Sequence, residues 1–319
     1  MKRCRRSGLG GVRWALAVVL ACAGCTKRDT PPVDAAKTDA PVRIGVSLLT
    51  MQHQFYQELR AGLEAEAKKH DYQLLVVSAE FDAARQADQI NEFLAQDVNA
   101  IVLCPADSRS VGASVLAANE AHVPIVTADI ASASPLGKVA AHIASDNVAG
   151  GREAGRLMVE AIGGSGKVAI LSHPEVSSVT DRVKGFREEL ASHPEIEIVA
   201  ELAAEGRRDR AVSVMEDVLQ RHPELAGVFG INDDSALGAL AAVEASGRAG
   251  KVAIVGYDAT PEARQHIAAG DIFGDVIQYP TRIGELTIST LHDLLNGEDV
   301  PAIVPVEVGR YTRESAQDG

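Results

Sequence analysis

From Val42 onward, short β-branched and apolar runs alternate with longer segments in which apolar or small residues recur at three and four positions. The runs predict strands at 42–48, 73–77, 100–104, 124–127, 139–143, 167–171, 196–200, 227–229, 252–257 and 275–278. Between them, spacings such as Phe55, Leu59, Gly62, Leu63 and then Ile90, Phe93, Leu94 predict amphipathic helices. Regular alternation of strand and helix points to an α/β fold, with parallel sheets covered by helices on both faces. About ten strands in some 280 residues suit two lobes of five or six strands better than one large sheet. A (β/α)₈ barrel is the rival architecture.

In open parallel sheets a ligand sits beyond the carboxyl ends of the strands, so the residues that end the runs are informative. Thr127-Ala128-Asp129 closes one run, Gly230-Ile231-Asn232-Asp233-Asp234 another, and Gly256-Tyr257-Asp258 a third. Carboxylates and amides at those places form many hydrogen bonds with a polar, uncharged ligand.

The N-terminus follows a different pattern. Five basic residues, Lys2, Arg3, Arg5, Arg6 and Arg13, precede an apolar run from Trp14 to Ala21, then small residues and cysteines. That order predicts a secretory signal over 1–24, and the run is too short for a membrane span. Leu20-Ala21-Cys22-Ala23-Gly24-Cys25 resembles a bacterial lipobox with two competing registers; Cys25 is favoured over Cys22 because it leaves the fuller apolar run. Acyl chains on that cysteine hold a protein at a membrane without inserting its fold. The Arg5-Arg6 pair does not make a twin-arginine signal, since Gly8 stands where a large apolar residue belongs. Residues 25–41, with three prolines and no periodicity, read as a flexible tether.

Charge narrows the function. The chain carries 31 basic and 44 acidic residues; without the first 24 residues the balance is 26 to 44, a net charge of −18. Phosphate backbones and anionic headgroups repel such a surface, so nucleic acid is not an expected partner and the membrane is met only through the lipid anchor. Of the four cysteines, only Cys104 falls in the body, where it reads as a core residue. Gly163-Gly-Ser-Gly-Lys167 lacks the spacing of a phosphate loop. His173, His193 and His222 each precede proline and mark turns. No metal-ligand spacing occurs, and neither a metal nor a cofactor is expected.

Several separated segments carry a resemblance. His142-Ile-Ala-Ser-Asp-Asn-Val-Ala-Gly-Gly151, Asn232-Asp-Asp-Ser-Ala-Leu-Gly-Ala-Leu240 and Val255-Gly-Tyr-Asp-Ala-Thr-Pro261 resemble the ribose-binding protein family, the periplasmic sugar-binding subunits of ABC importers. Pro105-Ala-Asp-Ser108 and Gln278-Tyr-Pro280 fit the same pattern, and the likeness runs from Val42 to about Val308. It implies the type I periplasmic binding protein fold: two doubly wound parallel-sheet lobes joined by a three-crossover hinge. Mapped here, the lobes are 42–144 plus 279–307 and 145–278 plus 308–319.

The resemblance further implies a non-catalytic monomer that traps a monosaccharide-like ligand and delivers it to a permease. Phe55 and Tyr56 fall where aromatic faces pack on the sugar, and Asp129, Arg182, Asn232, Asp258 and Gln278 fall on the polar contacts. The departures are His53-Gln54 in place of Asn-Pro, Ile130 in place of an arginine, and Gly206 near an expected aromatic. His53 then becomes the first donor. The other two changes imply a wider, less polar pocket, suited to a hexose, a deoxy sugar or a polyol rather than ribose. A sensory role through a chemoreceptor or sensor kinase is the alternative within this fold. A glycosidase using Asp129 and Asp258 as an acid/base pair is the remote one. The related cytoplasmic repressors are excluded by the secretion signal and the missing DNA-binding helix pair.

Overall fold

A computed structural model describes residues 41–315. The expected signal, Cys22, Cys25, all of the tether but Pro41, and the last four residues lie outside them.

The chain runs β1 (Arg43–Leu48), α1 (Gln54–Lys69), β2 (Gln73–Ser78), α2 (Ala83–Ala95), β3 (Ala100–Leu103), α3 (Gly112–Glu120), β4 (Ile125–Ala128) and β5 (His142–Ser145). It continues with α4 (Asn147–Ile162), β6 (Gly166–Ser172), α5 (Ser177–Leu190), β7 (Ile196–Ala203), α6 (Arg208–Arg221), β8 (Leu225–Gly230) and α7 (Asp233–Ala245). The last elements are β9 (Ala253–Asp258), α8 (Pro261–Ala269), β10 (Gly274–Ile277), α9 (Pro280–Leu295), β11 (Ile303–Val306) and β12 (Gly309–Thr312).

Two six-stranded sheets result, ordered β11-β5-β4-β3-β1-β2 and β12-β10-β9-β8-β6-β7, which rules out the closed barrel. All neighbours are parallel except β10 and β12. The chain passes between the sheets three times: from β5 to α4, from β10 to α9, and from β11 to β12.

Two departures from the sequence pattern have physical causes. The apolar run at 139–143 pairs only from His142, so β5 lies two to three residues further on. The edge strands β11 and β12 were not expected. Both are short and half exposed, and Pro305 in β11 lacks the N–H that a central strand needs.

Buried Ile44, Val46, Leu48, Ile101, Val102 and Leu103 fill the middle of the first sheet, and Val168, Ile170, Phe229 and Val255 that of the second. Local chemistry fixes where the helices begin. Asp82, Asp146, Asn232 and Thr260 each accept a backbone N–H of the first turn, and Pro261 and Pro280 open α8 and α9. Close packing of α4 on α5 requires Gly151 and Gly185, because a Cβ on either would meet backbone of the facing helix at Arg182 or Val148. That contact, with the Arg152–Glu188 ion pair at 2.7 Å outside it, sets the position of Arg182.

Candidate functional site

The carboxyl ends of both sheets face each other, and a cavity lies between them. It is lined by all eight residues singled out in the sequence: His53, Phe55, Tyr56, Asp129, Arg182, Asn232, Asp258 and Gln278. His53 caps α1, and Phe55 and Tyr56 stand in its first turn with their rings edge to face at 5.1 Å. Asp129 follows β4, Asn232 follows β8, Asp258 ends β9, and Gln278 follows β10 at the second passage between sheets.

The polar groups are held under tension between burial and pairing. Tyr56 donates its hydroxyl to Asp129 Oδ2 at 2.7 Å, while Asp129 Oδ1 has no partner among the described residues. Burial raises the Asp129 carboxyl above its usual range, against the pull of Arg182. Gln278 donates to Asp258 Oδ1 at 2.6 Å, and its own Oε1 is likewise unpartnered. Burial pushes Asp258 well up; Arg182 works against it and Asp233 with it. Asp258 also adopts φ +121°, a region costly for any residue but glycine, which marks a position fixed for something other than stability.

Arg182 stands between these carboxyls. Its Nε donates to Asn147 Oδ1 at 2.8 Å and one Nη to the Ile231 carbonyl at 2.7 Å; the guanidinium lies 3.9 Å from the centre of the Tyr257 ring. Among the described residues these are its two hydrogen bonds, and the side chain lines the cavity. Asn232 is more committed than the sequence suggests: Oδ1 caps α7 through Ser235 N, and Nδ2 donates to the Gly206 carbonyl. One N–H and one lone pair remain. Burial lowers the His53 pKa, although Asp234 and Glu80 oppose it, so the imidazole both donates and accepts at neutral pH.

The lining also contains residues the sequence reading did not assign to it. Leu49, Val176, Val179 and Ile231 join Ile130 as an apolar wall, with Ser178 beside them. His173, expected only in a turn, follows β6 and faces the cavity; its position at a strand's carboxyl end was the available signal. The unfilled space of the cavity is about 390 Å³.

The lobes touch directly beside the cavity. Ser177 N donates to Ser108 Oγ at 2.9 Å, Ala131 N to Ser177 Oγ at 2.8 Å, and Ser108 N to the Glu175 carbonyl at 3.0 Å. Among the described residues, no group of three or more His, Cys, Asp or Glu is placed to hold a metal ion, and no helix is long and apolar enough to cross a membrane.

Known proteins share this arrangement. Residues 44–299 match the periplasmic binding protein domain. The ribose import binding protein of Bacillus subtilis is 34% identical over 272 residues, spanning 85% of this chain and 87% of that protein. The xylitol-binding protein of Mycolicibacterium smegmatis is 33% identical over 296 residues, 92% of this chain and 82% of the relative. An ABC transporter periplasmic solute binding protein from Actinobacillus succinogenes, crystallised with bound D-allose, superposes with a TM-score of 0.79 at 28% identity, covering 88% of this chain and 100% of that one. With two sheets converging on one cavity and a match that runs through both, the chain belongs to the periplasmic binding protein family.

Proposed function

We propose that this chain traps a neutral monosaccharide or polyol between its lobes and presents it to the permease of an ABC importer. The observation that carries the reading is the set of half-satisfied polar groups around one cavity. Among the described residues, Asp129 Oδ1 and Gln278 Oε1 are acceptors without partners, and Arg182 has N–H groups to spare. A buried polar group left unpaired costs about 1–3 kcal/mol, so a ligand rich in hydroxyls relieves several such costs at once. Two carboxyls against one guanidinium disfavour an anion, and the Phe55 and Tyr56 rings offer flat apolar faces to the C–H face of a sugar. Ribose, xylitol and D-allose, the ligands of the relatives, all belong to that class.

In this reading the moving bodies are 42–144 plus 279–307 and 145–278 plus 308–319, and the permease reads the closed shape. The ligand drives closure only by its differential affinity for that shape. Lipidation at Cys25 and the tether after it keep the trap at the extracytoplasmic membrane face. Cys25→Ala is expected to leave binding intact and release the protein from the membrane fraction; release by Cys22→Ala instead moves the anchor.

The test is thermal unfolding of the purified protein against pentoses, hexoses, deoxy sugars, polyols and nucleosides. A ligand of the folded form adds about 2.7 kcal/mol of stability at a hundredfold excess over its Kd. A monosaccharide or polyol that raises the midpoint supports the proposal. A response confined to nucleosides, or none at all, overturns it.

A further inference from the structure

His173 is a polar side chain in the cavity whose ring has no hydrogen-bond partner among the described residues. Its side chain is 9% exposed, and its nearest charged neighbour, Glu175 Oε2, lies 3.7 Å from Nε2, beyond hydrogen-bond distance. Among the described residues, neither ring nitrogen makes a hydrogen bond. Phe81 lies against it with ring centres 6.3 Å apart.

Beside Nδ1 the wall is notched. Gly206 has φ +65°, and a Cβ there would stand 3.7 Å from His173 Nδ1 and 3.2 Å from Asn232 Nδ2. Gly206 thus presents bare backbone to the cavity, with His173 Nδ1 and Asn232 Nδ2 beside it. Asn232 Nδ2 spends one N–H on the Gly206 carbonyl and keeps the other. Burial lowers the His173 pKa against the pull of Glu175 and Glu205, so the neutral ring can donate and accept. Those two carboxylates, together with Asp107, also repel an anionic substituent.

We propose that His173 and the notch beside Gly206 form a second polar end of the cavity, which takes the exocyclic hydroxymethyl group of a six-carbon sugar. Its carbon packs over the bare Gly206 backbone and its hydroxyl bonds the imidazole. The proposal rests on the sugar-binding reading above and makes it narrower: hexopyranoses are preferred over the pentopyranoses that differ from them only at that group.

Titration calorimetry with matched pairs, D-allose against D-ribose and D-glucose against D-xylose, tests it. The wild type is expected to bind the six-carbon member of at least one pair about tenfold or more tightly than its five-carbon partner. His173→Leu is expected to bring that pair within about threefold by weakening the hexose alone, with the ligand-free unfolding midpoint as the control for folding. Gly206→Ala, which places a methyl against Asn232 Nδ2 and His173 Nδ1 at a backbone φ of +65°, is expected to do the same while His173 itself is unchanged, its own ligand-free midpoint again serving as the control for folding. A wild-type preference for the pentose overturns the proposal, as does a hexose preference that survives both variants. Equal weakening of both sugars by His173→Leu makes the residue structural and also overturns it. Any of these results leaves the sugar-binding reading standing. Failure of all monosaccharides and polyols to bind overturns both.

Discussion

Behind the cavity, Asp233 and Asp275 form a buried pair whose chemistry is unusual enough to predict a pH response. Both are buried, and Asp233 Oδ1 and Asp275 Oδ2 each stand 3.0 Å from the point where a Cβ on Gly256 would be, so they converge on one face of β9. Thr260 N donates to Asp233 Oδ2 at 2.7 Å, but Asp233 Oδ1 and both oxygens of Asp275 have no partner among the described residues. Burial, then the negative charge of Asp233, pushes the Asp275 carboxyl well above its ordinary range; burial raises Asp233 as well. The pair therefore keeps a proton when folded that it loses when unfolded. The sign follows: above the unfolded carboxylate pKa of about 3.9 the native state binds more protons, so stability falls as pH rises, until the pH passes the folded pKa. The slope is about 1.4 kcal/mol per pH unit for one proton, or roughly 3–5 °C per unit in unfolding midpoint. Asp275→Asn removes the carboxyl that holds the proton and supplies an N–H to the bare Asp233 oxygen. Its midpoint is expected to gain on the wild type as the pH rises above about 5, for as long as the wild-type pair holds its proton. Differential scanning calorimetry of both proteins from about pH 5 to 8 reads the difference, in which the titrating groups not coupled to the pair cancel. A difference constant to within about 1 °C refutes the shared proton.

Acid should act through a different residue. Burial pushes His142 down to about 4, with Nδ1 held 2.9 Å from Thr127 Oγ1. The unfolded chain takes up that proton first, so roughly 3 kcal/mol of stability should be lost between about pH 6.5 and 4, and His142→Asn should flatten that limb of the midpoint–pH curve; an unchanged limb counts against it. Ser177→Ala removes both hydroxyl bonds to Ala131 across the cleft, at 2.8 and 3.2 Å. At about 0.5–1.5 kcal/mol each, their loss should open the ligand-free protein in small-angle scattering and weaken binding by on the order of tenfold; an unaltered radius of gyration refutes the latch.

How much of this was legible depends on how local each signal was. The central strands are continuous apolar runs buried on both faces, and such runs announce themselves. Edge strands β11 and β12 do not, because one side of each meets solvent and their register comes from β5 and β10, far away in sequence. Asp129, Asn232 and Asp258 could be found because a polar residue that abruptly ends an apolar run is a local event. Phe55, Tyr56, Arg182 and Gln278 needed the family resemblance, since each sits in a helix or at a passage between sheets with nothing local to set it apart. His173 was hidden by the proline after it, which accounts for the turn and says nothing of what the turn faces. Asp275 is invisible on any local criterion: a lone acid in a four-residue strand becomes a buried pair only when α7 brings Asp233 against it.

The central claim is that the strand ends of the two lobes grip one hydroxyl-rich ligand, and Asp258 tests it most directly. It reaches the cavity, is held at φ +121° and takes a hydrogen bond from Gln278. Titration calorimetry of the best ligand from the unfolding panel should show one site per chain in the wild type. In Asp258→Ala, with a charged hydrogen bond worth about 1.5–3 kcal/mol gone, binding should be weaker by about tenfold or more. Equal affinity in the two proteins would contradict the account, because the ligand would then be held somewhere other than between these lobes.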